Sequence, residues 1–419
     1  MKTLYNSLKL SEYRALFLNK RVLVVGAGAV GSYTLEFLAK LGVSPDCWDF
    51  DTFTLENAAK ASALLRIPED AGRNKALCIA ERLTPFLDEG CTSNGIDANV
   101  NRLGPEAYSD FDYVILALDN YNAKCVVNEN IRKLTPDKQP VVIMAGTKGE
   151  MAQSVILDNK EFCLRCLFDE AWMEHAMRRT SCSEPVIIEF EGKKEITRTS
   201  NLASSFAAHL AAEQLRASVI GTGEMNVRLT YNAYPHVGIS AAHPMKKRRC
   251  PGCAIIPRRV EFLVGTSIET TLSDAFDAVA KHLGTYEFEL LTPTYKFGNT
   301  AVTGFIDTVY CRDCGKPVRL LKHEALTTLE DLVCEECKSG PPEKSEQNNK
   351  PLIMYAFSPS ACPDELRSKT LFDLGYPLGA HIEAVERNGA ISLIDEHVRR
   401  TIFAFDGDRT AVHSVKKLL

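Results

Sequence analysis

Residues 22–51 read VLVVGAGAVGSYTLEFLAKLGVSPDCWDFD. An apolar run enters Gly26, Gly28 and Gly31, apolar positions then recur at helical spacing from Val30 to Leu41, and a second short apolar run ends in Asp49 and Asp51. Strand, G-x-G-x-x-G, helix and acid-tipped strand together make the layout of a dinucleotide-binding fingerprint. The glycines allow a tight turn and let backbone N–H groups at a helix start approach phosphate. Taken alone the pattern is weak, because several kinds of nucleotide binder share it, and an NAD- or FAD-dependent oxidoreductase is one reading.

Moving outward, residues 72–83 (GRNKALCIAERL) have helical spacing, and 111–120 (FDYVILALDN) form an apolar strand ending in acid and amide. Residues 123–134 are expected to be a helix, and 139–146 (QPVVIMAG) a further strand. Strands that are continuous Val/Ile/Leu runs are buried on both faces. Their alternation with helices over about 150 residues predicts an α/β fold with a doubly wound, mostly parallel sheet. Beyond Met151 the spacing predicts strands at MAQSVILD and 225–234, and a small-residue helix over 202–220 suited to close packing. Composition shifts after Cys253, and 339–350 (SGPPEKSEQNNK) is a polar linker. The expected division is 1–253, then 254–338, the linker 339–350, and a small α+β piece at 351–419.

A chain of 419 residues with 45% hydrophobic and 25% charged residues is an ordinary globular protein. A net charge of −5 makes no electrostatic case for nucleic acid or an anionic membrane. No apolar run nears the roughly 20 residues that span a bilayer, and the N-terminus lacks a signal-peptide pattern, so a cytoplasmic protein is expected. Of 14 cysteines, eight form C-x-x-C pairs: Cys163/Cys166, Cys250/Cys253, Cys311/Cys314 and Cys334/Cys337. In a reducing compartment such pairs more often hold zinc than disulfides. The third and fourth pairs are 19 residues apart, the spacing of a zinc ribbon. The first and second are 83 apart, so spacing alone also allows two unrelated pairs or a redox motif.

Polar residues downstream of the glycine loop bear on the ligand. Asp49 and Asp51 end one strand, Asn57 and Lys60 lie in the next loop, Lys75 starts a helix, and Asp119 and Asn120 end another strand. Carboxylates can bind ribose hydroxyls, and two lysines with acids suit a triphosphate with Mg²⁺, where cations offset charge developing on departing pyrophosphate. The other reading of Lys60 and Lys75 is as surface charges. Cys182, in RRTSCSEP, is unpaired, lies in a polar stretch and follows Arg178 and Arg179, which favour a thiolate. It is the candidate nucleophile.

These motifs, GAGAVGS, DFDTFTLENAAKASALL, GRNKA, LALDN, MAGTKGEMAQSVIL, CLRCLF and CPGC, occur in one order over about residues 12–253. In that order they resemble the ThiF/MoeB/ubiquitin-activating (E1-like) adenylyltransferase family. The resemblance implies that ATP adenylates the C-terminal glycine of a ubiquitin-like or sulfur-carrier protein. It places the phosphates over Gly26, Gly28, Ala29 and Gly31, the ribose on Asp49 with Asp51 nearby, and further phosphate contacts on Asn57, Lys60 and Lys75. Asp119 would work with Mg²⁺ beside Asn120. Cys163, Cys166, Cys250 and Cys253 match the family's zinc ligands, which makes two structural zinc sites in all. Cys182 falls in the crossover segment, about 167–200, where the family keeps its reactive cysteine. Arg14 matches the arginine that reaches across the family's homodimer. Lys60 stands where the family carries arginine, keeping the charge and losing bidentate geometry.

With no rhodanese-type cysteine loop in sight, and with 351–419 expected to be a small partner-docking domain for which a ubiquitin-like fold is one reading, the favoured reading is the E1 of a bacterial ubiquitin-like conjugation system of antiphage type. It would form a thioester on Cys182 and pass it to an E2-like partner. The alternative is a sulfur-carrier activator for thiamin, molybdopterin or thiolation pathways. An oxidoreductase and a non-catalytic binding member are the remote ones.

Overall fold

The computed structural model describes residues 15–167, 200–253, 259–337, 352–386 and 400–418 with short interruptions, and two strands between 168 and 199. Arg14, Cys182 and the linker 339–350 lie outside the described residues. The chain divides into two compact units, one of residues 1–102, 108–257 and 413–419, the other of 103–107 and 258–412.

In the first unit the elements run β1 (Val22–Val25), α1 (Ala29–Leu41), β2 (Asp46–Trp48), α2 (Lys75–Leu83), β3 (Gly95–Ala98), β4 (Tyr113–Leu116), α3 (Tyr121–Lys133), β5 (Val141–Lys148) and β6 (Met151–Leu157). After the hairpin β7 (Ile187–Phe190) and β8 (Lys193–Ile196) come α4 (Asn201–Val219), β9 (Val227–Asn232) and β10 (Gly238–Ala242). The sheet has the order β10-β9-β6-β5-β4-β1-β2-β3, with β1 to β5 parallel and β6, β9 and β10 antiparallel. The Val/Ile/Leu runs are its buried centre: β1 and β4 have no exposed residue. The order 3-2-1-4-5 reverses direction between β1 and β4, and ligands of such sheets bind at that switch point, outside the carboxyl ends of the strands.

Helix α4 is the small-residue helix. Ala203, Ala207, Ala208, Ala211 and Ala212 are buried, which lets its backbone come close to α1 and to the sheet. His209 of α4 lies with its ring 3.9 Å from that of Phe37 on α1. The chain's last strand, β21 (Lys417–Leu418), pairs in parallel with β3.

The second unit corrects the expected separation of 254–338 from 351–419. Its main sheet takes β11 (Glu261–Leu263) and β12 (Phe288–Leu291) from the first stretch and β18 (Ala356–Phe357), β19 (Ile382–Glu386) and β20 (Arg400–Phe405) from the second, in the order β11-β20-β19-β12-β18. Strands of both stretches alternate in this one sheet, so residues 351–386 and 400–405 do not fold apart from 258–338. Helix α5 (Leu272–Leu283), capped by Thr271 on the Asp274 N–H, contributes Leu272, Phe276 and Val279 to the core that also holds Phe288, Phe403 and Phe405. Beside it lie the hairpin β13 (Thr294–Phe297) and β14 (Thr300–Thr303), and a small sheet of β16 (Pro317–His323), β15 (Phe305–Tyr310) and β17 (Leu352–Met354).

Candidate nucleotide site and cysteine clusters

The glycine loop is shaped by close approach. Gly26 has φ of +99°, and a Cβ there would stand 2.9 Å from the backbone of Ala117 and Leu118 at the end of β4. A Cβ on Gly31 would stand 1.8 Å from the Gly26 carbonyl oxygen, so only glycine lets α1 start this near the loop. Gly28, the residue before α1, has no side-chain cap and open space where a Cβ would be. The first-turn N–H groups of α1 are therefore available to an anion, as the dipole of a helix start favours.

Asp49 is the buried anchor at the end of β2. Its carboxylate accepts from the Ala27 N–H at 2.6 Å and the Asp51 N–H at 2.8 Å. Burial pushes its carboxyl up to about 6, against the lowering effects of Lys75 and those two N–H groups. Residues 51–53 run beside 72–75: the Phe53 N–H donates to the Arg73 carbonyl, and the Lys75 N–H to the Asp51 carbonyl. That pairing sets Lys75 at the start of α2, where Asn74 caps the helix through the Leu77 N–H and donates to the Asp49 carbonyl. The Lys75 side chain is 8% exposed and its Nζ lies 3.1 Å from Asp51 Oδ2. This lysine is no surface charge.

The loop bearing Asn57 and Lys60 is tied down by the Ser62 N–H, which donates to Ser32 Oγ of α1 at 2.9 Å. Asn57 is half-buried, its carbonyl accepting from the N–H groups of Lys60 and Ala61. Lys60 is half-exposed. Beneath, Asp70 is fully buried and bound by both Arg82 guanidinium nitrogens, Nη2 at 2.7 Å. Across the switch point Asp119 is exposed and Asn120 half-buried, its Oδ1 accepting from the Ala123 N–H at the start of α3.

The structure thus brings Gly26, Gly28, Gly31, Asp49, Asp51 and Lys75 together, with Asp119 and Asn120 following the neighbouring strand β4. One residue escaped the sequence reading. Lys124, one turn into α3, is 2% exposed and donates to the Ala145 carbonyl at 2.8 Å, its Nζ 4.9 Å from the Tyr121 ring centre. The only signal in the sequence is its place four residues after Asn120.

The cysteine pairs assemble into two groups of four sulfurs, all within 4.8 Å of one another in each group. Cys163, Cys166, Cys250 and Cys253 form one, from knuckles distant in sequence; Cys311, Cys314, Cys334 and Cys337 form the other. Four soft sulfurs at this separation fit a tetrahedral Zn²⁺. A Cβ on Gly252 would stand 2.7 Å from Cys163 Sγ, so the first group closes tightly around its centre. Cys362, an unpaired cysteine, is buried in the second unit, where burial pushes its thiol up; it is not placed to act as a nucleophile.

A doubly wound sheet with a glycine loop, a buried carboxylate and a buried lysine at its carboxyl edge has the layout of a nucleotide-binding α/β protein. The ThiF family profile matches residues 8–255, and the chain belongs to that family. It is 30% identical over 149 residues to SUMO-activating enzyme subunit 2 of Dictyostelium discoideum, covering 35% of this chain and 22% of that protein. It is 25% identical over 249 residues to the ATP-dependent ubiquitin transferase-like protein Cap2 of Vibrio cholerae, covering 56% and 41%. The chain therefore spans less than half the length of these relatives. Among solved structures, E. coli MccB with ATP is 19% identical over 58% of this chain and 71% of that one, with a TM-score of 0.45. No helix among the described residues is long and apolar enough to cross a membrane.

Proposed function

We propose that this protein is an E1-like adenylyltransferase that activates the C-terminal carboxylate of a ubiquitin-like protein with Mg·ATP. The observation that carries the reading is Lys75, a buried ammonium at a helix start beside Asp51 and the buried Asp49. A hydride-transfer site has no use for a sequestered cation there, whereas a departing pyrophosphate needs one. The glycine loop would hold phosphate, Asp49 the ribose, and Lys60 and Asn57 the outer phosphates. Asp119, with Asn120, would hold Mg²⁺, which supplies further charge neutralisation when bound.

In the reaction a carboxylate oxygen of the terminal glycine attacks the α-phosphorus. The bond to the bridging oxygen breaks and pyrophosphate leaves with that electron pair. Attack by the Cys182 thiolate on the acyl carbon then releases AMP and leaves a thioester, ready for an E2-like partner. Arg14 would reach the site of the second subunit in a homodimer, and Zn²⁺ would occupy both cysteine groups. Similarity to a SUMO-activating subunit and to a ubiquitin transferase-like protein supports conjugation. Sulfur-carrier activation shares the adenylation step and differs after it.

Incubation with Mg·ATP and a ubiquitin-like protein ending in glycine tests the reading. A thiol-reducible covalent adduct lost in Cys182→Ala is expected. An adenylate without the adduct favours the sulfur-carrier reading. If Mg·ATP leaves the melting temperature unmoved while NAD or FAD raises it, adenylation is wrong.

A further inference from the structure

Helix α3 turns toward the first cysteine group a face that is buried yet polar: Asn128, Glu129 and Arg132 are each less than a tenth exposed. Arg132 Nε donates to the Gly252 carbonyl at 3.1 Å, and Nη1 donates to the Phe162 carbonyl at 3.1 Å and to that of Asn159. Phe162 precedes Cys163, and Gly252 lies between Cys250 and Cys253. One guanidinium therefore grips a carbonyl from each of two knuckles that lie 83 residues apart in the chain. Its neighbours Glu129 and Asn128 bond to the first knuckle. Glu129 pairs with Arg165, and Asn128 accepts from the Leu164 N–H at 3.0 Å while donating to Asn159 Oδ1 at 2.7 Å.

All the partners of the Arg132 guanidinium among the described residues are neutral carbonyls. A buried cation held only by neutral acceptors needs an anion near it. Four thiolates around one divalent ion carry two net negative charges, and the Arg132 contacts place its charge against both loops that bear them. The second group has a different setting, with Cys314 and Cys337 exposed.

We propose that Arg132 is a positioning residue for the metal of the first group: it joins the two knuckles ahead of the metal and offsets the thiolate charge once it is bound. Zinc then exchanges slowly from Cys163, Cys166, Cys250 and Cys253, and fast from Cys311, Cys314, Cys334 and Cys337. The inference rests on the reading that both groups bind zinc, and zinc content tests that reading separately.

The experiment measures zinc transfer from the full chain to a chelating dye. Wild type should release two zinc ions in two phases, the fast one absent from the Cys314→Ser/Cys337→Ser variant. Arg132→Met should speed the slow phase about ten- to a hundredfold, the usual range for loss of an outer-shell partner. Arg132→Lys keeps the charge and the fold but loses the planar grip, and should speed the slow phase several-fold. The fast phase of the same molecules is the internal reference, since a general loss of stability moves both. Two bound zinc ions with a slow phase unchanged in both Arg132 variants overturns the clamp alone, as does single-phase release from wild type. A chain with no zinc on the first group overturns the metal reading and the clamp together.

Discussion

Helix α3 serves two sites of opposite character. Its first residues come directly after Asp119 and Asn120 at the carboxyl edge of the sheet, where Asp119 and Asp51 are exposed and Gly28 faces open space. Its last turns end in Asn128, Glu129 and Arg132, each buried and bonded to the loops of a closed cysteine group. The first, open end is exposed and within reach of a ligand; the other, sealed end is buried, with its polar groups bonded to neighbouring loops, which fixes geometry. Substitutions at the open end should therefore change chemistry and spare the fold, and those at the sealed end should do the reverse.

The largest expected effect is at the open end. Lys75→Ala or Asp119→Ala should lower carrier-dependent ATP–pyrophosphate exchange more than about a hundredfold, the scale of losing a charge that stabilises a transition state. Zinc content should stay at the wild-type level. Lost zinc in either variant would break the contrast.

At the sealed end, Gly252→Val forces a side chain against Cys163 Sγ. Overpacking of this kind costs about 1–3 kcal/mol. Denaturant melts should show that loss together with one zinc fewer per chain.

Arg82→Ala leaves the fully buried Asp70 without its guanidinium and sharpens the comparison, because this pair braces the loop under the open site. A cost of about 1–3 kcal/mol is expected, since Arg73 and the Arg66 N–H remain on the carboxylate after its closest cation is lost. Chiefly the hydrogen bond from Arg82, set against burial, holds the Asp70 carboxyl below its ordinary value. The stability it contributes is present above the ordinary carboxylate range and is lost as pH falls toward the lowered value. In Arg82→Ala the acid limb of the stability curve should shift to higher pH.

The smallest effect concerns Asp49, whose carboxyl burial raises to about 6. A raised carboxyl favours the folded state at low pH and costs it stability as pH rises from the ordinary value through about 6. Ribose binding needs the ionised form, so Mg·ATP affinity should be full above pH 6 and fall by up to about tenfold per unit below it. Calorimetry should show a flatter profile in Asp49→Asn.

Much of the first unit was legible because its strands are unbroken apolar runs and its helices are punctuated by glycine and acid. Residues 22–25, 113–116 and 141–148 are strands where the runs predict them. The cysteine groups were legible from spacing and resemblance. Lys124, Asn128, Glu129 and Arg132 were not, since a charged helix face reads as solvated, and only the neighbouring carbonyls of Ala145, Gly252 and Phe162 show why it is buried. The second unit joins strands from two stretches that the sequence separates by a linker. Strands as short as Glu261–Leu263 carry too little pattern to name a partner more than a hundred residues away at Phe403–Phe405.

The central claim is that this loop holds Mg·ATP for adenylation of a protein's C-terminus. Exchange of labelled pyrophosphate into ATP, with and without a ubiquitin-like carrier ending in glycine, tests it directly. The account predicts exchange that requires the carrier's terminal glycine and vanishes in Lys75→Ala. Undiminished exchange in Lys75→Ala, or none in the wild type with carrier present, would contradict it.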